Sequence, residues 1–334
     1  MEEFIQRMPK VELHAHLNGS LTTAALLELG AQKYGSTNEE LEKLVESFKV
    51  MGESLDECFK KFKIAHDLTN TREGLAHATL CVIRDFAKDN VVYVELRTTP
   101  KQNENMSKTE YLECVLESIR SARKEFPYII VKLLPSIDRS QGIDSAKSTM
   151  DAILKLHKKF SDIIKGIDLS GNPNVENFSN YKLIFETFRN MNLPLSLHCG
   201  EVENEEEIRE MIDFGMARCG HGTFIKESNL QKLIEKRIPV ECCLSSNVKC
   251  GTVSTYDDHH FKYFLDNSHP VVICTDDFGV FDTTLSKEFI IAQKTFGLSK
   301  EQLFTLSKNA VLSSFASEEE KQSLMQMIEN YFMK

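Results

Sequence analysis

Several absences narrow what this chain can be. No stretch approaches the ~20 consecutive apolar residues that a membrane-crossing helix needs. The opening residues Met1-Glu2-Glu3-Phe4-Ile5-Gln6-Arg7 are acidic and lack the apolar core of a signal peptide. Cysteine occurs nine times, an odd number, with no CxxC pair and with Cys242 and Cys243 adjacent. That argues against a disulfide framework or a thiolate zinc site and predicts free thiols in a reducing cytoplasm. Positive charge is short as well: 40 Lys and Arg against 50 Asp and Glu leave a net charge of −10. A nucleic-acid polymer or an anionic membrane is therefore not the expected partner, although a small anion can still find a local donor-rich pocket. Low-complexity segments, Pro/Gly/Ser-rich linkers and short repeats are all missing.

What remains is 334 residues of soluble, globular composition, 41% hydrophobic and 27% charged. Apolar, β-branched runs alternate with charged, helix-periodic segments. Strands are predicted at 11–17, 91–98, 129–137, 163–169, 194–198, 217–221, 239–245 and 271–275. Between them lie amphipathic pieces such as 109–125 and 148–160. Eight βα units predict an α/β fold, a (β/α)8 TIM-type barrel spanning 1–334 as one domain, a length such barrels routinely reach. The helix-rich stretch 21–88 is too long for one βα connection and is expected to be an insertion covering the barrel mouth.

The reactive residue types respect this layout. His14 and His16 alternate at the end of the first strand, so both point to one face and can meet one metal ion. His198 ends the fifth strand, with Glu201 three residues on; His221 ends the sixth; Asp276 and Asp277 follow the eighth. Barrel enzymes build their sites at these C-terminal strand ends. Taken singly, His198 reads as a core histidine, His221 as part of a turn and the aspartates as a helix cap. Together they make a site in which three histidines and an aspartate leave zinc an open position for water. His259 and His260, in Asp-Asp-His-His, read as a polar surface turn, and they, His77, His157 and His269 receive no role.

"PKVELHAHLNGS", "HCGEVENEEE", "RCGHGT", "SSNV" and "CTDD" resemble, in order and along nearly the whole chain, the adenosine/AMP deaminase family of zinc barrel hydrolases. The resemblance implies one Zn2+ per chain on His14, His16, His198 and Asp276. It implies that Glu201 protonates purine N1, His221 positions the nucleophile, Asp277 contacts N7 and the Gly171 amide contacts N3. The cysteine-ligated cytidine deaminase class, by contrast, lacks its HxE and PCxxC motifs here.

One departure from the adenosine-specific members is Asn18, where they carry an aspartate at the sugar's 5′ end. An amide can donate to a phosphate that a carboxylate would repel. With Thr98-Thr99-Pro100-Lys101 at the end of the second strand it reads as a phosphate cradle. "FKIAHDLT" and "GTVSTYDDHHF" extend the resemblance to the adenosine deaminase-like subgroup, which converts N6-methyl-AMP to IMP and methylamine, and it adds His66 and Asp138 as nucleotide contacts. His16 counts among the substrate contacts too. A small purine nucleotide is the expected partner and a cytoplasmic monomer the expected state. The alternative substrate is free adenosine or deoxyadenosine.

Overall fold

The computed structural model describes residues 1–35, 38–50 and 55–333, so positions 36–37 and 51–54 of the expected insertion lie outside the described residues. Among the described residues one sheet of eight parallel strands runs in chain order: β1 Lys10–His16, β2 Val91–Thr98, β3 Ile130–Asp138, β4 Ile167–Ser170, β5 Leu195–Cys199, β6 Arg218–His221, β7 Val240–Cys242 and β8 Val271–Ile273. Each strand except the first and last is flanked by the preceding and the following one. Helices between them complete a (β/α)8 barrel.

The ring closes just beyond β8. Asp276 N donates to His14 O and His16 N donates to Asp276 O, both at 2.8 Å. Barrel closure itself thus brackets Asp276 between the two histidines of β1. Asp276 takes a left-handed φ of 62° there, an uncommon conformation for aspartate.

Nearly every strand residue is buried, as a sheet covered on both faces requires. The helices start where their caps say. Ser107, Ser299 and Ser317 each form a capping box with the Glu or Gln three residues on. The amphipathic segment 109–125 is helix Lys108–Glu125, and 148–160 is the latter part of helix Gly142–His157.

Three strand boundaries move by more than one residue. β4 begins at Ile167 because Ile163 and Ile164 sit in a buried turn whose backbone bonds to Leu133. β7 ends at Cys242 and Leu244–Lys249 is helix, since an unbroken apolar run reads alike as buried strand or buried helix. β8 stops at Ile273, where the chain leaves the ladder to close the ring.

Side chains inside the barrel are charged rather than purely aliphatic. Arg97 on β2 and Arg218 on β6, both fully buried, interleave with Glu95, Asp168 and Glu241. Segment 21–88 contributes helices Thr23–Tyr34, Glu39–Val50, Leu55–Leu68 and Arg72–Lys88. No helix among the described residues is long and apolar enough to cross a membrane.

Candidate active site

At the C-terminal end of the barrel lies a cavity of about 740 Å³, large enough for a small-molecule ligand. Its floor is the predicted constellation. His14 Nε2 and His16 Nε2 lie 3.2 and 3.1 Å from His198 Nε2, and each lies 3.3 Å from Asp276 Oδ1. The opposite ring nitrogens explain this convergence. His14 Nδ1 donates to Glu241 at 2.8 Å and His198 Nδ1 donates to Asp168 at 2.9 Å. With the proton committed to Nδ1, each Nε2 turns a lone pair to a common point, as carboxylate–histidine–metal arrangements do.

Arg97 holds both carboxylates from below, its guanidinium reaching Asp168, Glu241, Ser196 Oγ and Leu13 O. Burial pushes Asp168 and Glu241 up. Their partners win, the His198 N–H and Arg97 beside Asp168 and the Arg97 and Arg218 guanidiniums beside Glu241, and both stay well below the usual carboxylate range. Ser246 Oγ donates to Asp276 Oδ2 at 2.7 Å. Asp168, Glu241, Arg97 and Ser246 escaped the sequence analysis. Ser246 lies in the "SSNV" motif, and a charged residue within a buried strand is the signal for the others.

His221 belongs to the same group by proximity, with His14, His198 and Asp276. His16 is nevertheless the closer partner of Asp276, because His221 Nε2 stands 4.0 Å from Asp276 Oδ2 and 3.8 Å from Glu201 Oε1. His221 therefore sits between the donor cluster and Glu201. Burial pushes its pKa down, toward the neutral imidazole. Burial and the neighbouring Asp276 hold Asp277 well above the usual carboxylate range. Asp277 Oδ1 is buried with no hydrogen-bond partner among the described residues, and it lines the cavity. It can sit there because residue 19 is glycine: a Cβ on Gly19 would fall 1.6 Å from that oxygen. Gly171 has φ 92°, and its missing Cβ leaves room for the Asp138 carboxylate.

The expected phosphate residues share the cavity wall. Asn18, Thr98, Thr99, Lys101 and His66 all line it, whereas Pro100 is buried and does not. His66 faces inward from helix Leu55–Leu68, alongside Cys58 and Phe62. Lys101 Nζ lies 2.7 and 2.8 Å from the His66 ring nitrogens. Burial pushes Lys101 down to about 8; burial and Lys101 push His66 down to about 4. The pair thus carries one proton's charge near neutrality. Asn18 has more to do than the sequence suggested. Its Nδ2 donates to Thr69 Oγ1 at 2.9 Å and its Oδ1 accepts from the Tyr111 hydroxyl at 3.2 Å. Asp138 caps the turn Arg139–Gln141, accepting from Ser140 N and Gln141 Nε2, both at 2.9 Å.

His259 and His269 are buried and His260 is half-buried, so none is a surface-turn residue. His269 Nε2 donates to Ile238 O at 2.7 Å. "DDHH" is polar by composition, but its histidines turn inward, His259 against Asn247 of helix Leu244–Lys249.

Comparison with known proteins bears on this geometry. A family model described as "Adenosine deaminase" matches residues 9–331. The adenosine deaminase-like protein of Drosophila melanogaster is 49% identical over 331 residues, covering 99% of this chain and 98% of its own. An apo structure of the N6-methyl-AMP deaminase from Arabidopsis thaliana superposes with a TM-score of 0.89 at 40% identity, covering 99% of this chain and 98% of that one. An arabidopsis ADAL structure complexed with IMP superposes at 0.88, with 39% identity and 99% of both chains covered.

Proposed function

The chain belongs to the adenosine deaminase family, a family of hydrolytic deaminases, and from that premise we propose that it hydrolyses N6-methyl-AMP and related N6-substituted purine mononucleotides to IMP and the amine. The observation that carries this reading is the cationic and hydroxyl-rich wall opposite the base site. Thr98, Thr99, Lys101 and His66 can receive a 5′-phosphate there, which a nucleoside lacks. The relatives named for N6-methyl-AMP, and the one complexed with IMP, agree with it.

Four of the six separations among the clustered donors, 3.1–3.3 Å, are close to the edges, about 3.3–3.4 Å, of a tetrahedron of radius about 2.0–2.1 Å. Zinc is accordingly the proposed metal, one ion on His14, His16, His198 and Asp276. Bound there, it supplies the Lewis acidity that makes water nucleophilic near neutral pH. The remaining roles fall to the chain. The Gly171 amide and Asp277 orient the purine through N3 and N7, and Glu201 gives a proton to N1 so that C6 accepts attack. His221 steadies the charge growing on the attacking oxygen. Asn18 sets the 5′ end, tied to the end of the insertion through Thr69, and Asp138 is a further nucleotide contact. Helix Leu55–Leu68 closes the mouth as a lid within a single barrel domain. The protein acts as a cytoplasmic monomer.

The deciding assay follows absorbance with N6-methyl-AMP, AMP, adenosine and N6-methyladenosine in parallel on zinc-loaded protein. Turnover of N6-methyl-AMP far ahead of both nucleosides is expected. Preference for the nucleosides would overturn the phosphate assignment, and inertness toward all four would overturn the reaction.

A further inference from the structure

His259 and His260 stack with ring centroids 4.3 Å apart, and with Cys242 they form a second group of donors close enough for a metal. Their hydrogen bonds leave no such site. The Phe261 backbone N–H donates to His259 Nδ1 at 3.1 Å, which takes that lone pair and leaves the ring proton on Nε2. His260 Nε2 donates to the backbone carbonyl of His221 at 2.8 Å. Burial, then the Glu241 charge, pushes the Cys242 thiol far up, so it stays protonated. The two histidines are instead linked to His221, His260 directly at its backbone carbonyl and His259 through Asn247 at its ring.

The ring connection has a direction. A backbone amide can only donate, so every link after Phe261 is determined in turn. His259 Nε2–H donates to Asn247 Oδ1 at 3.1 Å. Asn247 must then turn its NH2 the other way, where Nδ2 lies 3.3 Å from His221 Nδ1 and 3.4 Å from Thr252 Oγ1. Amide orientations are often ambiguous between oxygen and nitrogen, but here the fixed donor removes the choice. His221 Nδ1 is left as an acceptor. A neutral ring then carries its proton on Nε2, the nitrogen that faces Glu201 and Asp276. Burial, with His260 and His221 beside it, pushes His259 down to about 2, so its own tautomer is stable across working pH.

We propose that His259, acting through Asn247, is a positioning residue that fixes the tautomer of His221, so that His221 meets the attacking oxygen as a hydrogen-bond donor and not as a proton acceptor. The inference rests on the reading of His221 as the residue beside that oxygen, and it deepens that reading. It also gives the "SSNV" and "DDHH" segments a shared purpose. They lie 12 residues apart in the chain at Asn247 and His259, which are joined by that hydrogen bond.

The test is long-range 1H–15N correlation NMR on zinc-loaded protein labelled with 15N-histidine, with His221 assigned by its loss in His221→Gln. Wild-type protein is expected to show His221 with Nε2 protonated and Nδ1 bare. Asn247→Asp keeps the shape but offers a carboxylate oxygen to Nδ1. The pattern should reverse, and kcat for N6-methyl-AMP should fall by roughly 10²-fold or more while KM stays within about threefold. His259→Gln can place an amide donor where Nε2 stands and should restore most of what His259→Phe loses; this pair suffices if Asn247→Asp does not fold. A wild-type proton on Nδ1, an unchanged tautomer in Asn247→Asp, or full activity in His259→Phe would overturn the proposal. The NMR readout needs no substrate. An inactive protein with the expected tautomer would defeat the substrate reading and leave this inference standing.

Discussion

At the residue scale the site works by fixing which atom of each group carries a proton and which offers a lone pair. His14 and His198 spend theirs on Glu241 and Asp168, so their inner nitrogens are free to bind. Glu201 is the proposed acid, and Glu201→Gln keeps its volume while removing the transferable proton. The expected result is a loss of kcat of about 10³-fold or more with metal content unchanged, measured by steady-state kinetics beside metal analysis. Turnover within tenfold of wild type would remove Glu201 from that role. Lys101 makes a pH prediction. Its pKa is lowered to about 8 by burial, against the opposing pull of Asp138, with His66 as its neighbour. It is charged below about pH 8 and neutral above. KM for nucleotides should therefore climb by up to about tenfold per pH unit beyond 8, while KM for nucleosides stays level. Lys101→Met should begin with a high nucleotide KM and lose the climb; an unaltered profile in that variant would clear Lys101 of phosphate binding.

At the scale of elements, the strand ends bring the reactive groups together and a helix of the insertion lines the cavity above them. β1, β5 and the turn after β8 deliver the donor cluster, and β6 brings His221 beside it. Helix Leu55–Leu68 instead reaches the cavity with three side chains, Cys58, Phe62 and His66, and its C-terminal end is tied down where Asn18 donates to Thr69. An element held mainly by its contacts around an open cavity is drawn from the less stable end of the fold. Hydrogen exchange of residues 58–68 should slow on saturation with IMP, while that of β2 and β3 changes little. Equal exchange with and without IMP would argue against a closing lid.

At the scale of the whole molecule, the barrel draws three imidazoles and a carboxylate into one small volume above a buried charged layer. Such a centre links metal binding to folding, because ligand bound only by the folded state adds stability by mass action. A zinc ion at a hundredfold excess over its Kd contributes about 2.7 kcal/mol. Removing it with a chelator should abolish turnover and lower Tm by roughly 5 °C, and one equivalent of zinc per chain should restore both. A stoichiometry near two would replace the single-ion site with a binuclear one.

Much of this was legible in the sequence because it is local. The period-two spacing of His14 and His16, the eight apolar runs and the placing of His198, His221 and Asp276 at their ends are all short-range patterns that backbone geometry translates directly. They determined the barrel, the donor cluster and the mouth at which it lies. Tertiary structure alone decided the rest. Where β4 starts and where β8 stops depends on backbone bonds to distant segments, such as Leu133 to Ile163 and Asp276 to β1. That Asp168 and Glu241 orient the histidines, and that His259 is a buried partner of Asn247 and not a surface residue, follows from packing between elements far apart in the chain. Residue type and spacing encode which face of a strand a side chain takes. They do not encode which partner waits across the barrel, because hydrogen-bond direction is settled only when both ends are in place.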